Sequence, residues 1–156
     1  MIQSQNCKVV EVLEPTAVAA STTTAAECDC LGFDSAIIVI SCGAMTNALT
    51  TCSITEGDAT GSVTDAIAEL TVGNAACVDV EGTAIELSAT NDSDCIVFHV
   101  DLRKRKRFLK FNSVTVSGGT SAHSVHAILF GADVQSNSTN AAMALASTGT
   151  ALVATA

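Results

Sequence analysis

Residues 95–102 read Cys-Ile-Val-Phe-His-Val-Asp-Leu, and this stretch decides the expected fold. Every second side chain in it is bulky and apolar: Ile96, Phe98, Val100 and Leu102. Because successive side chains of a β-strand point to opposite faces, this alternation predicts a strand with one buried face. Residues 108–116 form a second strand-like segment, and a run of basic residues separates the two. We therefore predict a β-hairpin with a charged tip.

The rest of the chain supplies further strand-like segments, separated by Gly, Asn and Asp turn residues. Valine, isoleucine and threonine are abundant in them, and β-branched residues favour strands over helices. These segments are residues 8–13, 35–42, 49–56 and 125–130. Strands that recur at intervals of about ten residues are typical of sandwiches and barrels. We expect an all-β fold, an antiparallel β-sandwich or jelly-roll-like domain with extended N- and C-terminal segments.

Three segments depart from this simple pattern. Residues 16–26 are rich in Ala, Thr and Ser and fit either an edge strand or an extended arm. In residues 63–70 the apolar side chains are spaced by four and then three positions, which predicts a short helix. Residues 77–80 and 83–87 are strand-like and are joined by a turn near Gly82. The turn predicts that these two short strands pair.

The chain of 156 residues has the length of one domain. We assign residues 1–134 to a β-sandwich domain with an N-terminal arm, and residues 135–156 to a Ser/Thr/Ala-rich C-terminal tail. The N-terminus lacks the apolar segment of an export signal, and the longest apolar run, residues 36–40, is too short to span a bilayer. We therefore expect a protein that is made in the cytoplasm and has no membrane partner.

Positive charge is concentrated in one place. Six of the seven basic residues lie within eight positions, whereas the sixteen acidic residues are scattered and the net charge is -9. The six are Arg103, Lys104, Arg105, Lys106, Arg107 and Lys110. Crowded like charges raise the free energy unless anions or water compensate them, and we expect that internal pairing alone does not suffice. This cluster is the candidate protein-interaction site.

Three uses of the basic residues stay open from the sequence. The first is a solvated tip on which nearby Asp101 pairs with one arginine. The second is docking on an acidic protein surface, supplied by another copy or by a larger partner. The third is nucleic-acid binding, which is the weakest because only Phe108 and Phe111 are close enough to stack on bases. The acidic remainder of the chain also repels phosphates.

Seven cysteines are present, so at least one stays unpaired within the chain. Their spacing does not match a zinc site, which needs two ligand pairs. Four lie among apolar or β-branched neighbours and are expected to act as small buried hydrophobic residues: Cys42, Cys52, Cys77 and Cys95. Cys28 and Cys30 lie in a less apolar stretch and would share one face of a strand. They are the candidate disulfide.

Catalytic patterns are missing. The sequence contains no G-x-S-x-G, H-E-x-x-H or G-x-G-x-x-G pattern and no phosphate-binding loop. His123 and His126 would fall on opposite faces of a strand, which is unsuitable for joint metal ligation. His99 and Asp101 would share an exposed or interface-forming face. We expect no enzyme activity, no cofactor and no bound metal.

The segment Val-Asp-Leu-Arg-Lys-Arg-Lys-Arg-Phe-Leu-Lys-Phe at residues 100–111 resembles small proteins encoded beside the major capsid gene of tailed bacteriophages. Those are capsid decoration or cement proteins. The resemblance covers mainly residues 95–130 and rests on the pattern D-L-R-x-x-x-R-[FY]-L-K, with a looser match at residues 32–36. The many cysteines depart from that family's pattern.

The resemblance implies a β-rich module that binds the outside of an icosahedral head, often as a trimer, and stabilises the shell. Its partner would be the major capsid protein, and its location the capsid surface of the virion. Residues 103–107 would then dock on acidic capsid surface or on a neighbouring subunit. The alternative is a β-sandwich that binds a host surface or a glycan, such as a head fibre or an adhesin-like module. Nucleic acid is an unlikely partner in either case.

Overall fold

A computed structural model describes residues 7–19, 22–46, 49–85, 94–115 and 120–131. Within these ranges the chain forms eight strands, one 3₁₀ turn and no α-helix. The strands are β1 Cys7–Ala19, β2 Thr22–Asp29, β3 Ser35–Met45, β4 Leu49–Gly57, β5 Asp65–Thr71, β6 Cys95–Asp101, β7 Phe108–Thr115 and β8 Thr120–Phe130. The 3₁₀ turn covers Leu102–Lys104. No helix in the described part of the chain is long and apolar enough to cross a membrane.

The strands form two four-stranded sheets. The first sheet has the order β1-β8-β3-β6 and the second the order β2-β7-β4-β5. All strand pairs are antiparallel. The prediction of an all-β, sandwich-like domain is confirmed. The expected tail at residues 135–156 lies outside the described residues.

The core lies between the two sheets. In β8 buried and half-buried residues alternate along the whole strand, and β3 shows the same alternation over its first half. The largest fully buried side chains include Phe111, Ile40, Ile54, Ile67 and Leu129. Packing is close, because the void lined by Val12, Ile38 and Phe111 measures about 10 Å³ and holds at most one water. Burying such side chains contributes about 1.5–3 kcal/mol each.

The predicted hairpin of residues 95–116 is wrong. The strands themselves are present, and Phe98, Val100 and Leu102 are buried as the alternation predicts. However, β6 pairs with β3 in the first sheet, whereas β7 pairs with β2 and β4 in the second. The basic residues therefore lie on a connection that crosses from one sheet to the other. Periodicity shows which face of a strand is buried but not which strand is its neighbour.

Residues 63–70 are not a helix, because β5 occupies Asp65–Thr71. The pairing of β4 with β5 is irregular: Thr55 faces Ala66, whereas Ser53, two residues earlier, faces Thr71. Extra residues on one strand form a bulge, which changes the side to which the following side chains point. Ile67 and Leu70 are both buried although they lie three positions apart. The bulge thus gives a strand the apolar spacing of a helix.

The strand pairing also tests the predictions for the Ala/Thr/Ser-rich segment and for the two short strands after it. Residues 16–26 contribute to β1 and β2, which are edge strands of the two sheets, so the edge-strand interpretation is confirmed for the described residues. In residues 77–85, the part of this segment that the structure describes, Val78 and Ala84 form an isolated antiparallel bridge instead of two paired strands. Residues 86 and 87 lie outside the described residues. The turn at Gly82 is present and has a φ of 84°, a conformation that favours glycine.

Candidate functional site

The basic connection joins the end of β6 to the start of β7. It begins with the 3₁₀ turn, whose buried Leu102 donates its N–H to the carbonyl oxygen of Asp34 at 2.9 Å. The Asp101 side chain caps the turn by accepting the N–H of Arg103 at 3.2 Å. The N–H of Arg105 then bonds the carbonyl of Leu102 at 3.0 Å. Local hydrogen bonds therefore fix the direction in which the first two cations point.

Arg103 and Lys104, called here the outer end, share one carboxylate. Arg103 Nε lies 2.9 Å from Asp101 Oδ1, and Lys104 Nζ lies 3.8 Å from Asp101 Oδ2. The two cationic side chains are 71% and 81% exposed. The hydrogen bond from Arg103 holds the pKa of Asp101 below its usual value. Among the residues that the structure describes, the outer end thus has two cations for one ion-pair partner, and both cations face solvent.

Arg105, Lys106 and Arg107, called here the inner end, are paired with acids that are distant in the sequence. Arg105 lies 3.9 Å from Glu56 and 3.6 Å from Glu69. Glu56 is only 16% exposed and also accepts the backbone N–H of Lys106 at 3.0 Å. Its carboxylate therefore joins β4 to the connection.

The other two inner cations reach further segments. The Lys106 ammonium contacts Asp65, at the start of β5, and Asp58 at 3.6 Å. Arg107 donates two hydrogen bonds to Asp29, at 2.9 Å from Nε and 2.7 Å from Nη2. These bonds lower the pKa of Asp29, and bidentate pairing of this kind fixes the guanidinium geometry. The Arg107 guanidinium also lies 4.8 Å above the Phe108 ring.

The inner end therefore has more carboxylates than cations. Its three basic side chains contact five acidic ones, in the order of the chain Asp29, Glu56, Asp58, Asp65 and Glu69. The expectation that internal pairing cannot compensate the basic residues is wrong for these three. Sequence reasoning identified Asp101, which is local, and missed the five others because each lies at least 36 residues away and only the sheet pairing brings it close.

Lys110 does not belong to the connection. It lies within β7, directly opposite Glu27 on β2 and Thr55 on β4. The Glu27 carboxylate binds the N–H of Gly61 through both oxygens, at 3.1 and 3.0 Å. Five of the six basic residues predicted to act together are thus adjacent in space, and Lys110 is on the outer side of the second sheet.

An open cleft of about 550 Å³ lies beside the outer end. Residues from β3, β6 and β8 line it, together with Arg103: they include Ser35, Ile37, His99, Asp101 and Phe130. His99 is exposed, as expected, and Asp101 shares its face of β6. The Asp101 carboxylate is bonded to Arg103. The cleft therefore presents an imidazole, a guanidinium and an apolar floor to solvent.

Of the four cysteines that were predicted to be buried, three are buried and one is exposed. Cys42, Cys52 and Cys77 are buried, as expected, and burial raises the pKa of the Cys52 thiol to about 12. Cys95 is exposed, which contradicts the prediction, because it pairs with Ser41 on the side of the first sheet that faces away from the core. Its apolar neighbour in the sequence, Ile96, points to the opposite face.

Cys28 and Cys30 are buried in the core rather than in a less apolar setting, which corrects the sequence interpretation. Their sulfur atoms are 4.0 Å apart and are not bonded, with the Cys30 thiol donating to Cys28. That hydrogen bond lowers the pKa of Cys28 and raises the pKa of Cys30. The two side chains do share one side of the strand, and a disulfide between them stays a prediction.

The histidines do not form a joint site. His123 is buried, with its Nε2 atom 3.0 Å from the Ser113 hydroxyl and its ring edge-on to Phe111 at 5.9 Å. Burial lowers the pKa of His123. His126 lies on the opposite face of β8, as predicted. Among the described residues, no three His, Cys, Asp or Glu side chains are grouped so as to hold a metal ion.

No protein-family model and no curated protein matches the chain. Two solved structures overlap with most of it. One is from Bacillus endospore appendages, which form a novel family of disulfide-linked pili; it is 13% identical, has a TM-score of 0.44, and the match covers 80% of this chain and 88% of that chain. The other is the SPBc2 prophage-derived protein YomS, at 16% identity and a TM-score of 0.41, covering 81% and 94%. Overlaps at this level establish no function for the chain.

Proposed function

We propose that the protein is a structural subunit, a capsid cement or decoration protein that docks through Arg103 and Lys104 on the acidic outer surface of a phage head. One observation carries the assignment: these two side chains are 71% and 81% exposed and share one carboxylate. The proposal narrows the docking site from the whole basic cluster to its outer end.

Electrostatics support this choice of residues. The chain has a net charge of -9, so an acidic partner is repelled by most of its surface. Among the described residues, the outer end has fewer carboxylates per cation than the inner end of the same connection. A second anion can approach Arg103 and Lys104 without displacing Asp101, since both side chains keep donors that point to solvent.

Such a contact is weak for a single subunit. Exposed ion pairs contribute about 0–1 kcal/mol each, so one subunit held by two cations would dissociate readily. A homo-oligomer that engages several sites of a lattice at once gains affinity without new contacts. We propose that the protein acts in this way on the major capsid protein at the virion surface, as the trimer that the resemblance at residues 100–111 implies.

The cleft beside Arg103 favours a second candidate function, recognition of a host surface or glycan. Its volume of about 550 Å³ and its polar side chains, including Ser35 and His99, suit a small polar ligand. The chain contains no tryptophan or tyrosine, and among the described residues that line the cleft Phe130 is the only phenylalanine. The capsid role is therefore preferred.

Co-sedimentation tests the capsid role. Phage heads that assembled without this protein, purified from a phage whose copy of the gene is deleted, would be mixed with the wild-type chain, with the Arg103→Glu/Lys104→Glu variant and with single variants. Lys104→Glu and Lys110→Glu change the net charge equally, but only the first alters the outer end. Wild type and Lys110→Glu should bind the heads, and both outer-end variants should bind weakly or not at all.

The outcomes separate the candidates. Equal binding by wild type and by Arg103→Glu/Lys104→Glu would show that the outer end is not the docking site. If the wild-type protein does not bind phage heads but binds intact host cells, this would support recognition of a host surface or glycan instead. Exposed charge contacts also predict that head binding weakens as ionic strength rises.

The composition of purified particles gives an independent check. A cement protein is present in stoichiometric ratio to the major capsid protein, and its absence from particles would contradict the proposal. Intact mass measured with and without reductant also shows whether a disulfide forms, because a disulfide lowers the mass by two hydrogens. Loss of that mass difference in Cys28→Ser and in Cys30→Ser would assign the disulfide to this pair.

A further inference from the structure

The side of the first sheet that faces away from the core carries a continuous set of apolar side chains. The strand registers place Val9, Ile128 and Ile37 in one row across β1, β8 and β3. The next row places Val39 beside Val97. His99 completes the first of these rows, and Glu11 and His126 complete the second. With Phe130 from the row before, the apolar side chains of these rows form a surface called here the apolar face: Val9, Ile37, Val39, Val97, Ile128 and Phe130.

These residues point away from the sandwich interior. In β3 and β8 they alternate with the fully buried core residues, and paired residues of antiparallel strands point to the same side. Val9 and Val97 are 40% and 46% exposed, and both are among the exposed large hydrophobic residues of the molecule. The other four are half-buried between their neighbours.

The second sheet shows what an outer face normally looks like in this protein. Its central outward row contains Glu27, Lys110 and Thr55, and Asn112 lies in the adjacent row. Antiparallel sheets that face water are polar on that side. The same chain therefore has one outer face suited to water and one suited to a partner.

Charge identifies the partner. Two molecules of net charge -9 repel each other, and they approach with least cost where carboxylates are fewest. Among the charged residues, only Glu11 on β1 and Asp101 on β6 lie in the rows of the apolar face, and Asp101 is bound to Arg103. A strongly acidic partner would gain nothing from this surface.

The rim of the apolar face has complementary charges at its two edges. The β6 edge ends at Arg103 and Lys104, which exceed their shared carboxylate by one charge. The β1 edge carries Glu11 and the exposed Glu14. A copy that packs with its β1 edge beside the β6 edge of another brings opposite charges together.

We propose that the apolar face is a self-association surface, covered by the first sheet of a second copy of this chain. The apolar side chains would be buried between the copies, and the charged edges would set their relative orientation. This proposal shares Arg103 and Lys104 with the proposed capsid role, but its apolar core is Val9, Val97 and their neighbours, which are not part of the proposed docking site. The two proposals can therefore fail separately. It names the surface through which a homo-oligomer would form.

Sedimentation equilibrium of the purified full chain over a dilution series tests the proposal. Wild type should have a mass above that of a monomer and dissociate on dilution. Val97→Lys puts a charge into the proposed buried surface, on an edge strand where the side chain is already exposed, and should raise the dissociation constant by about tenfold or more. Val9→Lys, on the other edge strand, should do the same.

The matched control is Val80→Lys, because Val80 is a fully exposed valine in the loop after β5 and lies outside the apolar face. It should associate as wild type does. Thermal unfolding of each variant would confirm that it is folded. A monomeric wild type at every concentration, or unchanged association of both Val9→Lys and Val97→Lys, would overturn the proposal.

Discussion

The two ends of the basic connection have the same residue types but opposite surroundings. At the outer end, Arg103 and Lys104 share one exposed carboxylate. At the inner end, three cations contact five carboxylates from β2, β4, β5 and the loop between β4 and β5. A run of like charges is therefore not one functional unit. The inner end stabilises the segment that connects the two sheets, and the outer end is available to bind a partner.

The largest effect should come from Glu56, the least exposed acid of the inner end. Glu56→Ala removes the acceptor of the Lys106 N–H and leaves Arg105 without its more buried partner. We expect the free energy of unfolding, measured in urea, to fall by about 2 kcal/mol. Glu69→Ala is the matched control, because Glu69 contacts the same arginine but is 62% exposed, and should cost no more than about 0.5 kcal/mol.

Acid should weaken the inner end through Asp29. The pKa of Asp29 is lowered in the folded protein because Arg107 donates hydrogen bonds to its carboxylate. The unfolded chain therefore takes up a proton first, and the stabilisation is lost as the pH falls through the folded-state pKa. Wild type should lose stability between about pH 5 and pH 3, and Asp29→Asn should lose less over that range. An identical pH dependence of both proteins would contradict the role of this pair.

Added salt should reduce the difference in stability between the wild-type protein and the Arg107→Ser variant. The ion pair of Arg107 with Asp29 is partly exposed, so mobile ions screen it. Raising the ionic strength from about 0.05 M to about 0.5 M should bring the urea midpoints of the two proteins closer together. Comparing two proteins cancels most of the effect of salt on the overall negative charge. If the difference between the two urea midpoints does not change with ionic strength, Arg107 stabilises the protein through packing on Phe108 instead.

The smallest change in stability should follow Asp101→Asn. The asparagine oxygen can still accept the N–H of Arg103, so the 3₁₀ turn keeps its cap. The variant removes the carboxylate that Arg103 and Lys104 share and should bind phage heads more tightly, with an unchanged urea midpoint. Weaker binding to heads would mean that Asp101 positions the cations for docking rather than competing with the partner.

Much of the fold could be predicted from the sequence, because side-chain alternation is a local property. Alternation in the sequence predicts β3, β6, β7 and β8, with bounds that differ from the observed ones at the strand ends. The pairing of those strands could not be predicted in the same way. β6 and β7 are consecutive and would form a hairpin by the usual rule, yet they belong to different sheets. The bulge in β5 likewise arises from its pairing with β4 and not from its own residues.

The same limit applies to the candidate site. The sequence identified the five cations and the one carboxylate, Asp101, that is local to them. It gave no sign that Asp29 and Glu56 lie against them, because this depends on the crossing from one sheet to the other. Cys95 was misjudged for a related reason: its neighbours are apolar, but its own position faces outward.

Urea unfolding of two matched double variants most directly tests the claim that the inner end of the basic connection stabilises the fold and the outer end does not. Arg103→Ser/Lys104→Ser and Arg105→Ser/Arg107→Ser each remove two positive charges from adjacent parts of one connection. The account predicts that the first variant keeps the wild-type midpoint and that the second unfolds at a clearly lower urea concentration. Equal losses in the two variants, or a larger loss in the first, would contradict it.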